Sequence, residues 1–170
     1  MNRFVLSIIA LAFVASACTD SASSPSEPQP TLSALLLASN EVPAITNAES
    51  TGTGNATVTF DLTRDASGNI TAAAATFVVN LSDFPSGTPI RVAHIHPGAA
   101  GTNGPVLLDT GLIPGDNLTL ANGSGSFTKT VTTTPAIASN IISNPSAFYF
   151  NAHSALNPGG VVRGQMVRVQ

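Results

Sequence analysis

The strongest constraint on the fold is an alternation of apolar and polar side chains with a period of two residues. In residues 56–63, Ala, Val, Phe and Leu alternate with Thr and Asp, and residues 70–81 repeat the period after an Asp/Gly/Asn-rich turn at 65–69. Successive side chains of a β-strand point to opposite faces, so this period indicates strands with one buried face. A helix competes for the alanines of residues 70–81, but the flanking Thr and Val and the preceding turn favour a hairpin.

Shorter segments of strand character follow along the rest of the chain. They lie at residues 31–39, 90–96, 118–120, 124–131, 148–153 and 161–169. Residues 118–120 and 124–131 are predicted to form a second hairpin around Asn122-Gly123. Isoleucines at helical spacing between Pro135 and Pro145 predict one short helix. The pattern predicts an all-β fold, an antiparallel Greek-key β-sandwich or barrel with one short helix.

The N-terminal segment is typical of an export signal. Arg3 precedes an apolar run at residues 4–14 that is too short to span a bilayer. Ala15-Ser16-Ala17-Cys18 then resembles a bacterial lipobox, which implies that Cys18 is acylated and begins the mature chain. The alternative is ordinary cleavage after Ala17, which would leave a free thiol. Residues 1–17 are therefore predicted to be a lipoprotein-type signal peptide, and the chain is expected to contact the membrane through an N-terminal lipid.

Composition separates a tether from a folded domain. Residues 18–30 are rich in Ser and Pro and lack the apolar residues of a core, so they predict a tether, and the domain is expected to span residues 31–170.

Charge excludes one class of partner. Charged residues make up 9% of the chain and the formal net charge is −3. Nucleic acid is excluded as a partner, because no basic patch is available to neutralise phosphates.

The three histidines of the chain are the candidate functional residues. His94 and His96 are two apart on a predicted strand and share one face, and His153 ends another strand on a face with Asn151. Imidazole binds copper, zinc and nickel, so this set predicts a metal site. The alternative is structural: strand histidines hydrogen-bonded to Asn103, Asn151 or loop carbonyls.

Two further observations limit the chemistry. Arg163 and Asn151 are candidates to support the histidines or to bind an anion, while a structural pairing of Arg163 with Glu41 or Asp109 is the alternative. The sequence contains no nucleophile elbow and no phosphate-binding loop. No catalytic residue is therefore predicted, and the sequence favours a non-enzymatic protein over an enzyme.

Four motifs in order resemble the CHRD domain, first described in chordin and widespread in secreted bacterial proteins. They are Asn40-Glu41-Val42-Pro43; Ala93-His94-Ile95-His96-Pro97-Gly98 with Gly104-Pro105-Val106; Phe148-Tyr149-Phe150-Asn151-Ala152-His153; and Pro158-Gly159-Gly160-Val161-Val162-Arg163-Gly164-Gln165. The resemblance covers residues 32–169 and implies a β-sandwich in an extracytoplasmic setting. It implies little about activity. Because the sequence lacks a complete catalytic set, we expect a non-enzymatic, lipid-anchored binding module of the cell envelope, with an unidentified ligand or envelope partner.

A weaker resemblance is to the copper half of Cu,Zn superoxide dismutase. His-x-His on one strand, a later strand ending in His and a Gly-Gly-x-x-Arg-Gly segment correspond to His94, His96, His153 and Arg163. The resemblance implies a copper or other transition-metal site, with Arg163 beside it, and a fold that is superoxide-dismutase-like or immunoglobulin-like. The bridging histidine, the zinc ligands and the disulfide are missing from this sequence, so dismutase activity is not expected.

Overall fold

The computed structural model describes residues 28–169. The predicted signal peptide, Cys18 and the tether up to residue 27 lie outside the described residues. No helix within residues 28–169 is both long and apolar enough to cross a membrane.

The described residues form ten strands and one α-helix. The strands are β1 (Thr31–Leu37), β2 (Thr53–Arg64), β3 (Ile70–Ser82), β4 (Thr88–Pro97), β5 (Leu108–Asp109), β6 (Thr119–Leu120), β7 (Gly125–Thr133), β8 (Phe148–Ser154), β9 (Val162–Gln165) and β10 (Val167–Arg168). Helix α1 (Pro135–Ser143) occupies the predicted position. The prediction of an all-β antiparallel fold with one short helix is confirmed.

Strand order explains how distant parts of the chain meet. The antiparallel order is β5-β4-β8-β9-β1-β2-β3-β7, with β6 added to β4 and β10 added to β1, and the sheet is nearly closed and barrel-like. Strand β4 therefore lies directly beside β8, although about 60 residues separate His94 from His153. The register of this pair places His94 opposite Asn151 and His153 opposite Val92.

Alternation along the long strands builds the core. Val58 and Phe60 of β2 and Phe77 of β3 are fully buried, while the residues between them are half-buried or exposed. Phe77 meets Phe150 of β8, with 6.2 Å between ring centroids. Burying each such side chain contributes about 1.5–3 kcal/mol, so the period-two pattern fixes which faces turn inward.

Strand β8 departs from simple alternation because all of its residues are buried. Phe148, Phe150 and Ala152 belong to the apolar core. The opposite face carries Tyr149 and His153, which are also buried, so a second and polar layer lies beneath the loops on this side.

The second predicted hairpin is wrong. Gly123 does close a turn onto the carbonyl of Leu120, at 3.0 Å. However, β6 pairs with β4 and β7 pairs with β3. The long β3 offers β7 a nine-residue ladder that runs from the pair Ala73–Thr133 to the pair Leu81–Gly125, which outweighs a two-residue local pairing.

The predicted terminal strand is divided in two. Residues 161–169 form β9 and β10 with a break at Met166. The Met166 side chain is fully buried, and its backbone N–H donates to the carbonyl of Phe148 at 3.0 Å. The break lets β1 pair with both halves of the segment.

Candidate metal centre

The pairing of β4 with β8 brings the three predicted histidines together. One ring nitrogen of each histidine lies within 4.8 Å of one ring nitrogen of each of the other two. His96 and His153 are 6% and 7% exposed, and the His94 side chain is 11% exposed. Nitrogens at these separations need to close only slightly to surround an ion with bonds of about 2 Å. Metal binding itself stays a prediction, since the distances show proximity alone.

The outward nitrogens of the rings meet oxygen acceptors. His96 Nδ1 lies 3.0 Å from the Gly104 carbonyl, and His153 Nδ1 lies 2.9 Å from the Pro158 carbonyl. A carbonyl can only accept, so both Nδ1 atoms donate and both Nε2 atoms carry a lone pair. His94 Nε2 lies 3.6 Å from an Asp109 carboxylate oxygen. Oxygen acceptors behind the rings are typical of metal-ligating histidines, where they fix the tautomer.

One inward nitrogen, on His96, is left without a hydrogen-bond partner among the described residues. His96 Nε2 is buried and has no hydrogen-bond partner within residues 28–169. A buried acceptor left without a partner costs about 1–3 kcal/mol, so an unmet group here needs an explanation. A cation among the three rings would supply the missing partner.

His153 Nε2 faces a further acceptor. It lies 3.1 Å from His94 Nδ1 and 3.1 Å from the Asn151 side-chain oxygen. The Asn151 side chain also hydrogen-bonds the carboxyl group of Glu41. A proton on His94 Nδ1 would satisfy the His153 Nε2 lone pair, so His96 Nε2 is the ring nitrogen of the cluster that lacks a partner within residues 28–169.

Burial lowers the pKa of two of the three rings, those of His94 and His153, and so favours their uncharged form. Burial lowers the pKa of His94 to about 4, and the neighbouring His153 lowers it further, while Asp109 opposes the shift. Burial also lowers the pKa of His153, against a hydrogen bond to Pro158. Neutral imidazole is the form that binds metal, so no proton has to be removed from these two rings at pH 7.

Arg163 lies behind the cluster, with its side chain against the loop at residues 98–104. It is 1% exposed, and its terminal nitrogens donate to Asn103 Oδ1 at 3.0 Å, Thr102 O at 2.6 Å and Ala99 O at 3.2 Å. Its guanidinium carbon lies 3.4 Å from the centre of the Tyr149 ring. The structure therefore places the guanidinium nitrogens at loop oxygens, with Glu41 close enough to interact electrostatically.

Three residues of the site were not assigned a role from the sequence, and a fourth, Glu41, was considered only as a partner of Arg163. Tyr149 stacks on His96 with ring centroids 4.9 Å apart and an angle of 5° between planes. Gly104 and Pro158 act through carbonyls, which side-chain identity does not reveal. Glu41 is 7% exposed, and its buried Oε1 has no hydrogen-bond partner in the described part of the chain. Of the three unassigned residues, Tyr149 alone carried a usable signal, because it shares a strand face with Asn151 and His153.

Fold and site together define a barrel-like antiparallel β domain with a buried cluster of three histidines. The chain belongs to the CHRD domain family, whose family model matches residues 32–166. Neither the curated proteins nor the solved structures gave a significant match. The membership expected from the four motifs is confirmed, and it supports a non-enzymatic domain.

Proposed function

We propose that this CHRD domain binds one transition-metal ion, copper in preference to zinc, through His94, His96 and His153. The observation that carries the proposal is a buried His96 Nε2 with no hydrogen-bond partner in residues 28–169, in a cluster where one ring nitrogen of each histidine lies within 4.8 Å of the others. Each ring is also backed by an oxygen acceptor on its far side.

The chemistry of the donors supports copper. The cluster consists of three histidines, with no thiolate or carboxylate among the ligand groups identified in residues 28–169. Imidazole suits copper, zinc and nickel, and divalent copper binds a given nitrogen site more tightly than its neighbours in the first transition row. The role is binding of the ion, and no catalytic residue is assigned.

Calorimetry on residues 31–170, prepared without a histidine tag, tests the metal site. We expect one copper ion per chain with a Kd below about 1 μM, which corresponds to roughly −8 kcal/mol. The double variant His94→Ala/His96→Ala should lose this binding, while Arg91→Ala at an exposed position of the same strand should keep it. Equal binding by both variants, or none by the wild type, contradicts the proposal.

We further propose that lipid on Cys18 anchors the domain to a membrane outside the cytoplasm, at the cell surface or in the periplasm, as a module of the cell envelope. The support is the lipobox-like Ala15-Ser16-Ala17-Cys18 and the tether that follows it. Wild-type protein should fractionate with membranes, and Cys18→Ser should move to the soluble fraction. The anchor proposal fails if Cys18→Ser stays with the membranes after a carbonate wash.

A further inference from the structure

The loop at residues 98–104 connects Arg163 to the histidine cluster. Arg163 donates hydrogen bonds to oxygens of Ala99, Thr102 and Asn103 in this loop. At the end of the same loop, the Gly104 carbonyl accepts a hydrogen bond from His96 Nδ1. The ring nitrogen of His96 is therefore held by the loop that Arg163 secures.

Tyr149 forms a second connection between the same two residues. Its ring lies between the Arg163 guanidinium and the His96 imidazole, at 3.4 Å and 4.9 Å from ring centre to guanidinium carbon and to imidazole centroid. Its hydroxyl accepts from the Gly104 N–H at 3.2 Å. Gly104 thus donates to Tyr149 with its N–H and accepts from His96 with its carbonyl.

The backbone of Gly104 lies unusually close to the backbone of Pro97. A Cβ at Gly104 would lie 1.8 Å from the Pro97 carbonyl oxygen, so only glycine permits this close approach of the two backbones. The approach brings the Gly104 carbonyl within hydrogen-bond reach of His96 on the strand that ends at Pro97.

We propose that Arg163 is a positioning residue for the metal site, which orients His96 through the loop 98–104 and Tyr149. By fixing the Gly104 carbonyl against His96 Nδ1, Arg163 keeps the proton on Nδ1 and the Nε2 lone pair turned toward His94 and His153. The metal readout below rests on the proposed function, whereas the tautomer readout does not. Arg163 itself touches neither the ion nor a ring nitrogen.

The geometry requires arginine at this position. A planar guanidinium can reach three separate oxygens with its terminal nitrogens and still lie flat on an aromatic ring. A lysine ammonium keeps the charge but has no planar face to stack and a single nitrogen to reach oxygens that surround the guanidinium. Arg163→Lys therefore separates the positioning of the loop from the mere presence of a buried charge.

Nitrogen-15 NMR of the metal-free protein tests the orientation directly. In the wild type, His96 should show one protonated nitrogen, Nδ1, and one bare nitrogen, Nε2. In Arg163→Lys the two shifts of His96 should move toward each other, because the tautomers interconvert when the carbonyl is no longer fixed. His153 is an internal reference, since its Nδ1 is held by Pro158 on a different loop. A general loss of structure would change the nitrogen shifts of both His96 and His153, whereas loss of positioning would change those of His96 alone.

Copper affinity and the Cu(II) electron paramagnetic resonance spectrum give the second readout. Loss of residues that orient ligands typically weakens metal binding 10–100-fold, so Arg163→Lys should weaken copper binding by about 10-fold or more. The nitrogen hyperfine pattern should change with it. Arg91→Lys, the same change at an exposed arginine of β4, should stay within about twofold of the wild type.

Asn103→Ala keeps the test decisive if Arg163→Lys does not fold. It removes one oxygen partner of Arg163 and a contact of the loop with the Val42 carbonyl, at an exposed position. It should shift the His96 nitrogens in the same direction by a smaller amount. The inference is overturned if His96 keeps its tautomer in every folded variant and copper affinity stays within twofold. A wild type that shows the fixed tautomer but binds no metal would sink the proposed function and leave the positioning role intact.

Discussion

Glu41 shows how the surroundings of one residue change its ordinary chemistry. Its carboxyl group packs directly on Gly160, where a Cβ would come within 2.6 Å of Oε1. Burial raises the pKa of Glu41 to about 7, although Arg163 and the hydrogen bond from Asn151 both lower it. Desolvation therefore outweighs the attraction of the nearby guanidinium, and Glu41 is partly protonated at neutral pH.

The raised pKa of Glu41 predicts that Glu41→Gln changes the pH dependence of stability. The pKa of Glu41 rises from 4.5 to about 7 on folding, so the unfolded chain loses this proton first. The contribution of Glu41 is then fully present below pH 4.5 and is lost as the pH rises to 7. Relative to Glu41→Gln, the wild type should lose about 3 kcal/mol of unfolding free energy as the pH rises through this range.

Urea unfolding of metal-free protein at pH 4.5, 6 and 7.5 measures the effect. The lowered pKa of His94, about 4, acts in the opposite direction between pH 4 and 6.5, because there the unfolded chain binds the proton. The difference between wild type and variant cancels that contribution, which is common to both. Asp61→Asn, an exposed acid of β2, is the control. Parallel curves for wild type and Glu41→Gln would contradict the prediction, because they would show that the pKa of Glu41 is the same in the folded and unfolded chains.

Individual residues differ in how far sequence predicts their place. Alternation put His94 and His96 on one face, because side-chain direction in a strand follows from the backbone alone. The contacts of Tyr149, Gly104 and Glu41 depend instead on where loops fold back over β8. A carbonyl partner such as Gly104 carries no side-chain signal, so its role was visible only in the structure.

At the scale of elements, strands were predicted better than their partners. The hairpin of β2 and β3 followed from its period and its turn, both of which are local features. The turn at residues 120–123 favours pairing of β6 with β7. In the structure, β7 pairs with β3 and β6 pairs with β4 instead. Partner choice depends on which long ladder and which buried face are available, and neither is encoded within a single segment.

Helix α1 gives a test of a local signal within this mainly β fold. Thr134 precedes Pro135, and its hydroxyl accepts a hydrogen bond from the Ile137 N–H at 3.2 Å, as an N-cap does. Thr134→Ala should lower the unfolding free energy by about 1 kcal/mol, since the N–H loses its partner. Thr134→Ser keeps the hydroxyl and should recover most of that loss.

Chemical denaturation compares the two variants under one set of conditions. Copper affinity should be the same in both, because α1 lies against β3, which carries none of the three histidines. A loss of stability in Thr134→Ser as large as that in Thr134→Ala would show that the hydroxyl is not the stabilising group.

At the scale of the whole molecule, the pairing of β4 with β8 creates the site. His94 and His153 are separated by 59 positions in the chain, yet their ring nitrogens lie 3.1 Å apart because β4 and β8 are neighbours. The three nitrogens come together only when this pairing forms. An ion held at the proposed site would therefore bind the folded state alone, and its binding would stabilise the entire domain.

This coupling predicts a metal-dependent rise in melting temperature. At a free copper concentration 100 times the Kd, the folded state gains about 2.7 kcal/mol. For a chain of this size that gain corresponds to an increase in Tm of roughly 5 to 10 °C, from about 2–4 °C for each kcal/mol. Differential scanning calorimetry with and without the ion measures it, and a chelator should reverse it.

Two variants test whether the increase in Tm comes from an ion bound by the histidines. His94→Ala/His96→Ala should show no increase, because one remaining histidine cannot chelate, whereas Arg91→Ala should respond as the wild type does. Zinc should give a smaller shift than copper at equal concentration, in line with its weaker binding to nitrogen ligands. An equal rise in the double variant would mean that the ion binds elsewhere on the folded surface, and the buried histidine cluster would then have a purely structural role.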